Sequence, residues 1–147
     1  MSNNFILAIG DRNSEELRTI TEALKIHSWA AWNEVAEGGA EATQMYLKNG
    51  KNYEIVVMAG GFAWEHQDEP QKYHCPIQSM VLADYMRLWY KTEEHKHPEV
   101  IIYEPDSDMQ KLMHGMAKSG EWTWVTFVTK QDELNEALDN WWSQKIG

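Results

Sequence analysis

The stretch YEIVVMAGG, residues Tyr53 to Gly61, has the pattern of a strand covered on both faces. Ile55, Val56, Val57 and Met58 form an unbroken apolar run that stops at two glycines. A strand with one wet face would alternate instead. A doubly covered strand predicts a parallel sheet with helices on either side, and in such sheets ligands gather at the carboxyl ends of the strands. Here that end is Ala59-Gly60-Gly61, which carries no acid, base or nucleophile.

The flanking sequence repeats the strand-then-helix order. An apolar run from Phe5 to Ile9 ends at Gly10-Asp11. NSEELRTITEALKI (13–26) follows as a helix, with Asn13 or Ser14 as its cap and Leu17, Ile20, Thr21 and Leu24 at helical spacing. WAAWNEVA (29–36) reads as a second strand and AEATQMYLKNG (40–50) as a short helix stopped by Gly50. After the third strand comes a long irregular segment, GGFAWEHQDEPQKYHCP (60–76). The next helix places Ile77, Met80, Val81, Tyr85, Leu88 and Trp89 on one face. EVIIYEP (99–105) is the fourth strand. SDMQKLMHGMAKSG (107–120) is a helix capped by Asp106 or Ser107, with Met109, Leu112, Met113 and Met116 as its stripe. TWVTFVT (123–129) is the fifth strand, and QDELNEALDNWW (131–142) turns Leu134, Ala137, Leu138 and Trp141 to the core. The order predicts an α/β fold: one domain over residues 1–147, built as a doubly wound five-stranded parallel sheet with helices on both faces.

Composition narrows the partners. With 23 acidic and 13 basic residues among 147, the formal charge is −10, which disfavours nucleic acid or an anionic membrane as ligand because both require a basic footprint. Cys75 is the single cysteine, so no internal disulfide is expected, and neither a signal peptide nor a membrane span is visible. The expected location is the cytoplasm.

The last stretch, TFVTKQDELNEALDNWW (126–142), resembles the end of the response-regulator receiver domain, where a lysine closes the fifth strand and a DELxxAL-like helix follows. Lys130 stands at the lysine position, with Gln131 where the family usually has proline. FILAIGDRNSEELRTITEAL (5–24) and AEGGAEATQMYLKNGKNYEIVVMAG (36–60) match the earlier receiver elements, so the resemblance covers nearly the whole chain. It implies a receiver or flavodoxin-like fold. It also implies a phosphorylation pocket made of an acid pair after strand one, an aspartate ending strand three, a Ser or Thr ending strand four, and the lysine. Those positions are Gly10, Asp11, Ala59, Glu104 and Lys130 here. Ala59 has no nucleophilic oxygen, and one carboxylate at Asp11 is poor magnesium ligation. The resemblance therefore implies a degenerate pocket without phosphoaspartate chemistry, in which Lys130 is free to pair with Glu104 or Asp11.

Other chemistries leave weaker traces. Asp11, Glu104, Asp106 and Asp108 follow strands one and four, so they can converge as a hard-cation site, although acids at a helix start are favoured anyway. The short match of an acid followed by D-x-D to a toprim arrangement sits poorly with an acidic chain. His95-x-His97 and the group His66, His74 and Cys75 match no zinc spacing, and adjacent His74 and Cys75 seldom meet as base and nucleophile. GDRNSEE (10–16) lacks GxGxxG and any flavin-type loop. No cofactor and no catalytic residue are expected.

Eight tryptophans are the one compositional anomaly, at 29, 32, 64, 89, 122, 124, 141 and 142. Core packing accounts for about half, and exposed aromatics mark interfaces. The expected function is a phosphorylation-independent regulatory or adaptor protein without an output module, binding a protein partner or a second copy. The receiver resemblance implies the face of helix four, strand five and helix five, with Met113, Trp122, Trp124 and Trp142 as contacts. Residues 61–76 offer a second surface, because long loops in compact domains are often functional. The rival reading is a flavodoxin-like enzyme or small-ligand or metal-binding protein that uses the acidic rim and the Gly60-Gly61 turn.

Overall fold

A computed structural model describes residues 5–30, 33–49, 53–65, 74–93 and 98–146. Strands β1 (Ile6–Gly10), β2 (Glu34–Glu37), β3 (Ile55–Ala59), β6 (Glu99–Tyr103) and β7 (Val125–Val128) form one parallel sheet in the order β2-β1-β3-β6-β7. A two-stranded antiparallel hairpin, β4 (Phe62–Ala63) with β5 (His74–Cys75), follows β3. The helices are α1 (Glu15–Ile26), α2 (Gly39–Asn49), α3 (Gln78–Glu93), α4 (Ser107–Ser119) and α5 (Gln131–Ile146).

Strand order and handedness place the helices. The step from β1 to β2 runs opposite to the steps β2 to β3, β3 to β6 and β6 to β7. Right-handed crossovers therefore put α1 on one face and α2, α3 and α4 on the other. α5 returns to pack beside α1. β1 and β3 are consequently buried over their whole lengths, which explains their unbroken apolar runs. Ser14 caps α1, accepting from the Leu17 N–H at 3.1 Å, and Asp106 caps α4 by accepting from Asp108 and Met109 N–H.

The expected sheet and helices are all present, with local corrections. The second strand shortens to Glu34–Glu37, preceded by a 3₁₀ turn at Ser28–Ala30. In α3 the buried face is Ser79, Met80, Leu82, Ala83 and Met86, while Tyr85 and Leu88 are exposed. In α4 only Met113 and Ala117 are buried, and Leu112 and Met116 face outward. In both helices the buried stripe is narrower than the apolar count suggests. The hairpin within residues 60–76 was not foreseen, because two-residue strands leave no periodic signal. His66, His95, His97, Gly50, Trp32 and the side chain of Trp89 lie outside the described residues. No described helix is long and apolar enough to cross a membrane.

Candidate functional site

The carboxyl edge of the sheet brings together Gly10 and Asp11 from β1, Ala59 to Gly61 from β3, and Glu104 from β6. The hairpin β4–β5 roofs this edge. Asp11 holds it with both oxygens: Oδ1 accepts from the Ala63 N–H at 2.7 Å, and Oδ2 lies 3.1 Å from His74 Nδ1. Asp11 is nearly buried, with 12% of its side chain exposed. From the other side, the Trp64 carbonyl accepts from the Ala40 N–H at 2.6 Å, and the Trp64 ring lies against Gly39 at the start of α2. Phe62 and Ala63, the β4 strand of this roof, are themselves buried.

The paired glycines now have a reason. A Cβ on Gly61 would sit 2.6 Å from His74 Nε2 and 2.8 Å from the Pro76 Cα, so the hairpin base admits only glycine there. Gly60 likewise lies under the Glu104 carboxylate. The strand end that looks blank in sequence is the bed of the hairpin, and the contact of His74 with Asp11 is what sequence reading missed. Two glycines beneath a long loop were its only signal, because the Asp11 to His74 contact spans 63 positions of chain.

Glu104 accepts the Asp106 N–H on Oε2 at 3.1 Å. Its carboxyl is held above its ordinary pKa, first by burial, with the Asp106 and Glu16 carboxylates adding to the rise, against the Asp106 N–H and His74. A carboxyl whose folded pKa is raised stabilises the fold at low pH and loses that contribution as pH rises through the folded value. Glu104→Gln keeps an acceptor for Asp106 and removes the charge. Its melting temperature should therefore exceed that of the parent near pH 7, and the difference should shrink toward about pH 4. A variant less stable than the parent at neutral pH would refute this.

Lys130 does not pair with Glu104 or Asp11. It is exposed at the start of α5, where the Glu133 carboxylate accepts from Thr129 N–H, Thr129 hydroxyl and Lys130 N–H at 2.9, 2.8 and 3.1 Å. These bonds, the backbone donor of Thr129 foremost, hold the Glu133 carboxyl below its ordinary pKa. The hard-cation expectation for Asp11, Glu104 and Asp106 is also corrected. Among the described residues no three His, Cys, Asp or Glu side chains are grouped to hold a metal ion.

Neither a family model nor a curated protein matches the chain. A solved structure does. The crystal structure of a response regulator receiver domain protein from Clostridium thermocellum superposes with a TM-score of 0.54 at 19% identity, covering 95% of this chain and 94% of that one. The fold is receiver-like. Ala59 is the last residue of its third main-sheet strand, and it is buried against the hairpin bed.

The four contact candidates divide. Met113 is wholly buried and Trp124 is 8% exposed, so neither offers a contact surface: Met113 faces the sheet from α4, and Trp122 stacks on Trp124 at 5.2 Å. Trp122 remains half-exposed. Trp142 is half-buried, with one ring face laid on Trp29 at 4.9 Å and 1°. The stacking partner comes from the segment after α1, which helical spacing in α5 cannot reveal.

Proposed function

We propose that this receiver-like chain is a phosphorylation-independent regulatory or adaptor protein, a degenerate receiver that works by binding another protein. The observation that carries the reading is the closed carboxyl edge. Ala59 stands where a receiver has its phosphoacceptor, and Asp11, the one remaining acid of the pair, is committed to Ala63 and His74. An incoming phosphoryl group would meet a hairpin instead of magnesium and a carboxylate. The face of α4, β7 and α5 stays open for a partner, with Trp122, Phe127 and His114 partly or wholly accessible there.

The test is incubation of the full chain with magnesium and acetyl phosphate, followed by intact-mass measurement and an amide spectrum. Both should be unchanged. One added phosphoryl group on an aspartate, or amide shifts along β3 and β6, would overturn the proposal.

A further inference from the structure

β7 ends the main sheet, and its outer edge is open. Val100 N–H donates to the Trp124 carbonyl at 3.0 Å and Glu104 N–H to the Val128 carbonyl at 2.9 Å. The two-residue period then turns the backbone groups of Val125 and Phe127 away from β6. Among the described residues nothing hydrogen-bonds to them. The opposite edge, β2, is guarded by charge: Glu34 and Glu37 stand at its ends, and Glu37 pairs with Arg12 at 3.4 Å. β7 reads Val-Thr-Phe-Val, with neither charge nor proline. Such an edge is a template for another strand.

Its two flanks differ in chemistry. On the α4 side Phe127 lies against the His114 ring, centroids 5.5 Å apart. On the α5 side Thr126 and Val128 floor a groove of about 1070 Å³, walled by Glu99, Glu133 and Glu136. Among the described residues Lys145 is the one lysine lining it, and it is already paired with Glu54. On the α5 side the lining includes the small side chain of Ala137.

We propose that the β7 edge takes an extended segment of another protein as a sixth strand, with lysine or arginine at every second position. Those cations face the carboxylates beside α5, and the intervening apolar residues face Phe127 and His114. The inference rests on the protein-binding reading above and names the chemistry of the partner. Charge selects against a second copy, since a symmetric β7 pairing would bring two sets of Glu99, Glu133 and Glu136 to one seam. Strand addition draws affinity from the main chain and specificity from alternate side chains, which suits this edge.

The experiment titrates the full chain with three synthetic octapeptides: alternating lysine and valine, alternating glutamate and valine, and the lysine peptide N-methylated at every second residue. The lysine peptide should bind at least about tenfold tighter than either control, and added salt should weaken it. At saturation the Val125 and Phe127 amides should become slow to exchange, whereas Thr126 and Val128, already turned to β6, should change little. Glu99→Lys with Glu136→Lys, both exposed, should reduce binding by about tenfold without loss of folding. Equal binding of the acidic or N-methylated peptide, binding that leaves Val125 and Phe127 unprotected, or no binding would each overturn the proposal. A concentration-dependent dimer protecting the same two amides would also overturn it, by giving the edge to a second copy. An unchanged mass with acetyl phosphate alongside failed peptide binding would sink this partner class alone. Phosphorylation would instead sink the reading beneath it.

Discussion

Trp29→Ala is expected to lower folding stability by about 3 kcal/mol, the largest single effect predicted for this protein. Trp29 is the centre of an aromatic group that ties α1 to α5. Its ring stacks on Trp142 at 4.9 Å, meets Trp141 at 5.4 Å and Phe5 at 6.5 Å, and takes the edge of His27 at 5.6 Å. His27 adds a clasp beside it, with Nδ1 on the Ala23 carbonyl at 2.8 Å and Nε2 at 3.0 Å from Asp139 of α5. Lys145 lies over Phe5 and Trp141 at 5.8 and 5.4 Å. Trp29 is itself only partly buried, which sets the estimate at the low end for a truncated tryptophan. Trp142→Ala removes one stacked partner and should cost about 1 to 2 kcal/mol. The double variant should then cost less than the sum, because both substitutions delete the same stack. Thermal and urea melts of the three variants decide the matter. A Trp29→Ala loss under about 1 kcal/mol would show that the cluster does not hold α5.

Asp11→Ala should cost about 2 to 3 kcal/mol and loosen the hairpin roof. The carboxylate accepts a backbone N–H from Ala63 at 2.7 Å, and bonds to a charged acceptor contribute about 1.5–3 kcal/mol when one side is buried. Its second contact contributes less, since His74 is 40% exposed and solvent screens the pair. His74→Ala should therefore cost about 1 kcal/mol or less, and Asp11→Asn should fall between the two alanine variants. Hydrogen exchange separates local from global effects. In Asp11→Ala the Ala63 amide should exchange much faster, while the β1 and β3 amides should follow only the change in global stability. An unaltered Ala63 amide would mean that other contacts, Trp64 on α2 foremost, hold the roof alone.

Periodicity carried the architecture because burial on two faces writes itself into consecutive residues. Ile55 to Met58 and Phe5 to Ile9 could be read as inner strands without knowing their neighbours, and Leu17, Ile20 and Leu24 as a buried helix face. The absence of an acid, base or nucleophile at Ala59-Gly60-Gly61 was equally legible, since it depends on residue identity at the end of a strand. Contacts between distant segments left no such trace. Nothing local to Asp11 indicates that a histidine 63 positions away will reach it, or that Gly60 and Gly61 are small because Glu104 and His74 lie over them.

Exposure was hidden for the same reason. Met113 and Trp124 are apolar residues of a kind found equally in cores and at interfaces, and only the packing of α4 on β7 assigns them to the interior. Trp142 sits one position beyond the core stripe of α5, which turns it off that stripe, yet Trp29, from the turn after the neighbouring α1, covers one side of it. The open edge of β7 is likewise a matter of strand order. Val-Thr-Phe-Val would look the same in a central strand, and its unpaired backbone groups follow from its place at the end of the sheet. Side-chain pattern depends on a residue's own burial, whereas partners and free surfaces depend on which remote elements arrive beside it.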